Sequence, residues 1–259
     1  MATGEVAARI TLKHLDTLPE FREAVRLQKE IWGFSDIELL PLRLFVVAHK
    51  VGGQIIGAFD GAQMIGFLVS IPGIRPSAEN AEAYLHSHMM GVQAPYRNLG
   101  VGRMLKLAQR EEALARGVRL VEWTFDPLEI KNAYFNIERL GAVVRRYVLN
   151  QYGTTTSHLH GGLPTDRCVA EWYLDGERVR AVLDGKPVPH TDTLERVAVP
   201  NDIAELRQRH PKQAREIQRR LSETFLAHFQ RGLAVTGFER TPDAGVYLFS
   251  QSVPQWPSK

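Results

Sequence analysis

Between residues 92 and 106 the chain reads Val92-Gln93-Ala94-Pro95-Tyr96-Arg97-Asn98-Leu99-Gly100-Val101-Gly102-Arg103-Met104-Leu105-Lys106. An apolar, strand-like run gives way through two glycines to an amphipathic helical one. A helix that begins there leaves its first backbone N–H groups without intrahelical acceptors. Those donors and the positive end of the helix dipole suit a pyrophosphate. Gly100 and Gly102 let backbone approach phosphate with no Cβ in between. Arg103 and Lys106, in the first turns, could add charge for further phosphate oxygens. Two other phosphate loops fail on spacing: no third glycine completes a dinucleotide fingerprint, and no Gly-Lys-Ser/Thr marks a nucleotide P-loop.

Other residues could carry chemistry nearby. Tyr84, His86, His88 and Met90 alternate along the strand leading into the turn, which puts them on one face. A histidine there titrates in a useful range without special tuning, though it could equally be structural. Asn132 and Asn136 lie four apart, so their amides share a helical face. Arg145, Arg146 and Arg167 are either surface residues or partners for a substrate carboxylate, which arginine grips bidentately.

The elements that must position these groups can be read from hydrophobic period and punctuation. Residues 9–14 alternate as a strand, and 18–32 have helical spacing; Pro41 opens a second helix over 42–51. Strands at 54–59 and 64–71 flank Asp60-Gly61, a hairpin signal. Residues 84–92 form a strand, 101–116 a helix ended by Gly117, 120–125 a strand, 129–140 a helix stopped by Gly141, and 143–152 a strand. A polar stretch at 153–165 reads as a boundary. Beyond it come strands at 168–174 and 195–199, helices at 202–209 and 212–230, and a strand pair at 233–238 and 246–250. The expected architecture is a mixed α/β domain over 1–153 with a smaller α+β extension over 154–259. From 195 onward the order β-α-α-β-β repeats that of residues 9–71, so a partial internal duplication is expected.

Composition narrows the class. The chain has 259 residues, 44% apolar and 24% charged, as globular proteins do. Its one cysteine, Cys168, can form neither an internal disulfide nor a cysteine-rich metal site. No signal peptide and no run of about 20 apolar residues is visible, so a cytoplasmic protein without a membrane partner is expected. With 32 basic and 29 acidic residues the net charge is only +3, and basic residues are interleaved with acids. Even the densest basic stretch, residues 207–220, reads as the solvated face of a helix, and no nucleic-acid partner is expected.

Pro95-Tyr96-Arg97-x-x-Gly100-Val101-Gly102 resembles the acyl-CoA-binding motif of the GNAT (GCN5-related N-acetyltransferase) superfamily, written Q/R-x-x-G-x-G/A. The order of elements around it is also similar to that family, over about residues 8–152. Phe125-Asp126-Pro127-Leu128 with Asn132-Ala133-Tyr134-Phe135-Asn136 looks like a subgroup carrying a C-terminal extension. The resemblance implies acetyl-CoA or another acyl-CoA as co-substrate, with no metal. It implies that Met90, Gly91 and Val92 lie along the pantetheine arm and acyl carbonyl. The turn Arg97, Asn98, Leu99, Gly100, Val101, Gly102, with Arg103, would hold the pyrophosphate, and Asn132 and Phe135 would flank the pantetheine.

Acyl transfer to an amine needs a neutral nucleophile, a polarised thioester carbonyl and a proton for the thiolate. The resemblance places a tyrosine acid where this chain has Ile137, so the usual donor is missing; Tyr134, one turn earlier, is either a substitute or a core aromatic. His88 is the first candidate for the base, with Glu122 and Asp126 behind it, or a base acting through ordered water. The expected reaction is direct transfer of an acetyl or other small acyl group, such as succinyl, to the primary amine of a small molecule such as an amino acid. A homodimer is compatible with it. The missing tyrosine keeps a second reading open, a non-catalytic CoA-binding or interaction protein of the same fold.

Overall fold

The computed structural model describes residues 9–75, 81–153, 162–188 and 192–251. Its chain divides into two compact units, Met1–Val121 and Glu122–Lys259.

The first unit contains an antiparallel meander. β1 (Ile10–His14) pairs with β2 (Gln54–Asp60), β2 with β3 (Gln63–Arg75), and β3 with β4 (Glu82–Val92). Gly61, at φ +60°, turns the β2–β3 hairpin. Between β1 and β2 run α1 (Leu18–Trp32) and α2 (Leu42–Lys50), and α3 (Val101–Ala115) follows β4. Glu20 accepts from the Thr17 N–H at 3.1 Å and so caps α1. β2 and β3 are apolar almost without interruption because both faces are covered. On one face Ile55, Phe67 and Val69 pack with Phe21, Leu27 and Phe45 of α1 and α2. On the other, Ile56, Ile65 and Leu68 pack with Val101 and Leu105 of α3.

β5 (Leu120–Phe125) crosses from one unit to the next. The second unit continues with α4 (Ile130–Tyr134), β6 (Val143–Val148), β7 (Arg167–Tyr173), α5 (Glu177–Asp184), β8 (Glu195–Pro200), α6 (Ile203–Arg209), α7 (Pro211–Gln230), β9 (Leu233–Arg240) and β10 (Ala244–Gln251). Its strands lie in the order β5-β7-β6-β9-β10-β8. Phe225 of α7 packs its ring against Tyr147, Tyr247 and Phe249, which gives this unit its aromatic core.

These arrangements correct several expectations. The boundary expected at 153–154 cuts through a sheet: β6 pairs antiparallel with β7 and also with β9, so residues on both sides of it belong to one core. The duplication fails on pairing rather than on element order. β1 lies beside the second strand of its set, β2, whereas β8 pairs with the third of its own, β10. The helix expected over 129–140 is α4 followed by a π-helical turn, Phe135–Arg139, in which the Leu140 N–H bonds the Phe135 carbonyl at 3.1 Å. β6 stops at Val148, short of residue 152, because the chain turns at Asn150, φ +44°. The helix α5 had no counterpart in the sequence reading.

Candidate functional site

β4 ends at Val92, and Gln93 leads into a 3-10 turn, Ala94–Tyr96. The chain then passes through two left-handed residues, Asn98 at φ +64° and Gly100 at φ +86°, before α3 begins at Val101. The alternation turns successive amides outward. From residue 98 to residue 103, no backbone N–H finds an acceptor among the described residues; the Met104 N–H, bonded to the Gly100 carbonyl at 3.0 Å, is the first of the helix to do so. Gly100 is glycine because of its backbone. Gly102 is not: its φ is ordinary, and a Cβ there would meet only the Met90 Cε, at 3.6 Å. The space that its missing side chain leaves open belongs to no part of the fold.

Charge at this turn is unbalanced. Arg97 uses its Nε to bond the Val92 carbonyl at 3.1 Å, and Arg103 holds a buried Nε with no hydrogen-bond partner. Among the described residues neither guanidinium meets a carboxylate. An orphaned cationic donor, unbonded amides and a vacant Cβ position together suit an anion. Lys106, expected to add to this charge, does not. It is buried beneath α3, where its Nζ donates to Ser87 Oγ at 2.9 Å and to Gln109 Oε1 at 3.0 Å, and burial pushes its pKa far below the ordinary range.

The turn is braced from outside. The Tyr96 hydroxyl donates to Asp60 Oδ2 at 3.0 Å, and Gln93 donates through Nε2 to Glu30 of α1 at 2.6 Å. Neither brace was visible in the sequence, since both join residues distant along the chain.

Met90, Gly91 and Val92 pair with Leu68, Phe67 and Gly66 of β3. Met90 and Val92 turn toward the α3 layer, whereas the Cα of Gly91 faces Ile31 and Trp32, which leave no room for a side chain. The expected single face of Tyr84, His86, His88 and Met90 is broken. Val69 pairs with Met89 and Ser70 with Ser87, so His88 is an extra residue in a β-bulge. Beyond the bulge the alternation inverts: Ser87 and Met90 both face α3. The His88 ring lies 5.8 Å from that of His86, and burial lowers its pKa, which favours the neutral imidazole.

In the second unit, Asn136 donates to Asn132 Oδ1 at 3.3 Å, as their spacing anticipates. Tyr134 is half-buried with the Arg240 guanidinium 5.5 Å from its ring centroid, and Phe135 opens the π turn. Ile137 is fully buried. The arginines proposed for a carboxylate are already engaged. Arg145 bonds Glu171 and the Tyr173 hydroxyl, Arg146 bonds Glu122 at 2.6 Å and Glu171 at 3.2 Å, and Arg167 sits over the Tyr152 ring. Burial raises the Glu171 pKa, but Arg145 foremost, then Tyr173 and Arg146, outweigh it and hold the carboxyl below its ordinary value. Glu122 is thereby committed as a base candidate, and so is Asp126, which pairs with buried Arg207 at 2.7 Å.

No family model matches the chain, and no curated protein does. Among solved structures it is similar to a candidate acetyltransferase of the GNAT family from Desulfovibrio desulfuricans, with 14% identity, a TM-score of 0.50, and coverage of 64% of this chain and 99% of that one. It is also similar to Arabidopsis thaliana NAA60 in complex with a bisubstrate analogue, at 12% identity and a TM-score of 0.51, covering 63% of this chain and 98% of that one. The chain has the GNAT fold. Among the described residues no cluster of metal-ligating side chains occurs, and no helix is long and apolar enough to cross a membrane.

Proposed function

We propose that this protein is an acyl-CoA-dependent N-acyltransferase that moves a small acyl group directly to a primary amine. The observation that carries the reading is the turn at residues 97–103, with its unbonded amides from 98 to 103, two arginines lacking acidic partners and the open space at Gly102. Those residues would hold the CoA pyrophosphate, and Met90, Gly91 and Val92 would run beside the pantetheine, with Asn132 and Phe135 as further contacts.

His88 takes the proton from the acceptor amine at a ring nitrogen that burial keeps free. The amine nitrogen bonds the acyl carbon, the carbon–sulfur bond breaks, and the departing thiolate receives a proton. We assign that proton to the Tyr134 hydroxyl, which has no hydrogen-bond partner among the described residues. A small-molecule acceptor is supported by the added strands of the second unit. Arg240 of β9 covers the Tyr134 ring, and the Phe238 N–H of β9 donates to Glu138 of the π turn at 2.8 Å, so β9 packs beside this helix end. A carboxylate on the acceptor or acyl group loses its support, because Arg145 and Arg146 are ion-paired.

Calorimetry with CoA, followed by thiol release from acetyl-CoA in the presence of an amine panel, tests the reading. Saturable CoA binding and amine-dependent thiol release are expected. Absence of CoA binding overturns it. Binding without thiol release for any acyl-CoA and amine would instead favour a non-catalytic CoA-binding protein, the reading that Ile137 in the tyrosine's place supports.

A further inference from the structure

Five polar side chains lie buried in the otherwise apolar layer between α3 and the meander of the first unit: Gln54, Ser70, Ser87, Lys106 and Gln109, none more than 4% exposed. Four of the five links around them are hydrogen bonds made by side chains, and the fifth, Ser87 to Ser70, is a backbone register pairing. Lys106 Nζ donates to Ser87 Oγ on β4 and to Gln109 Oε1 on its own helix. Ser87 pairs across the ladder with Ser70 of β3. Ser70 Oγ accepts from the Gln54 backbone N–H at 3.2 Å and donates to Gln54 Oε1 at 3.3 Å. Gln54 Nε2, on β2, closes the circuit on the Gln109 carbonyl at 3.0 Å.

The circuit lies beside the one irregularity of the β3–β4 ladder. Ser70 and Ser87 are the first pair on one side of the bulge, and the extra residue is His88. A bulge can migrate along a strand, and a one-residue shift sends every side chain it passes to the opposite face. Were it to move to residue 87, the Ser87 hydroxyl would leave the α3 side and Lys106 would lose a buried acceptor, a heavily disfavoured state. Buried polar groups tolerate fewer arrangements than apolar ones, because each must keep its partner, so the polar circuit is matched to one register.

We propose that the Lys106–Ser87–Ser70–Gln54–Gln109 circuit locks the bulge in β4 and thereby aims the His88 imidazole, which makes Lys106 and Ser87 positioning residues. The catalytic consequence rests on the function proposed above; the structural consequence does not. The circuit holds no residue of the 97–103 turn, so it governs His88 and leaves CoA affinity alone.

The test uses the full chain labelled with 15N-histidine and 15N-methionine, with His88 assigned by His88→Gln and Met89 by Met89→Leu, and the variants Lys106→Met and Ser87→Ala. In both, the His88 ring resonances and the Met89 amide are expected to move, while the calorimetric affinity for CoA stays within about twofold of the parent. Misplacing a proton acceptor should lower kcat by roughly ten- to a hundredfold at unchanged KM for the acyl donor. Folded variants whose His88 and Met89 resonances coincide with the parent's overturn the proposal; if Lys106→Met does not fold, Ser87→Ala decides alone. A parent that turns over no acyl-CoA refutes the proposed function, and the resonances still judge the lock.

Discussion

The hydroxyl of Tyr96 donates to the carboxylate of Asp60 at 3.0 Å, and so ties the entrance of the glycine turn before α3 to the tip of the β2–β3 hairpin. Arg9 reaches the same carboxylate oxygen at 3.2 Å. The link fixes a turn whose own backbone makes few hydrogen bonds. Tyr96→Phe keeps the ring and its packing and removes only the tie. It is expected to raise the Kd for CoA by roughly three- to tenfold, measured calorimetrically, with the melting temperature nearly unchanged.

Gly102→Val and Arg103→Gln separate space from charge. A Cβ at residue 102 meets nothing of the protein closer than 3.6 Å, so the valine variant is expected to fold while losing detectable CoA binding. Arg103→Gln should weaken binding by roughly ten- to a hundredfold and flatten its dependence on salt. An unaltered Kd in Gly102→Val would show that phosphate does not lie against this turn.

A pH profile reports on His88. Its pKa is lowered from the ordinary 6.5 by burial, so the neutral form persists into mildly acid solution. The acid limb of kcat/KM is therefore expected below pH 6.5. The sign for stability follows: a depressed pKa contributes stability that is complete above 6.5 and is lost as pH falls through the folded value. His88→Gln should remove the acid limb from the rate profile; a limb that survives assigns it to another group.

Arg145→Ala tests whether that arginine belongs to the fold or to the substrate. Removing it leaves Glu171, 2% exposed, without its main partner, at a cost of about 3–5 kcal/mol. Denaturant unfolding should show that loss, and it should shrink toward low pH as Glu171 protonates. A raised KM for an acceptor at unchanged stability would return Arg145 to a substrate-binding role.

Much of the first unit was legible because local signals agreed. Helical period, Pro41, Asp60-Gly61 and the glycines at 100 and 102 each act over a few residues, and the elements they mark stand where expected. The bulge at His88 was not legible. It is decided by pairing with Ser70 and by a lysine one helix away, and strict alternation is the only guide the strand itself offers. The role of Lys106 was misread for the same reason: its place in the first turns of α3 suggests phosphate, but its distance from the helix start turns it inward. The repeated β-α-α-β-β order misled because order along a chain does not fix which strands pair. Arg145 lacked a visible partner because Glu171 lies beyond the polar stretch taken for a domain boundary.

The placing of β6 between β7 and β9 also constrains synthesis on the ribosome. The meander β1-β2-β3-β4 joins neighbours in sequence and can assemble as each strand leaves the exit tunnel. β6 cannot. It emerges before either of its flanking strands, and its Val144 awaits Val235 of β9. A nascent chain halted before β9 holds a strand with one unsatisfied edge, the kind of surface that recruits other chains. Force profiles of translation-arrested chains should register no closure of this unit until β9 has cleared the tunnel. The unpaired edge during synthesis therefore belongs to the second unit rather than to the β1–β4 meander.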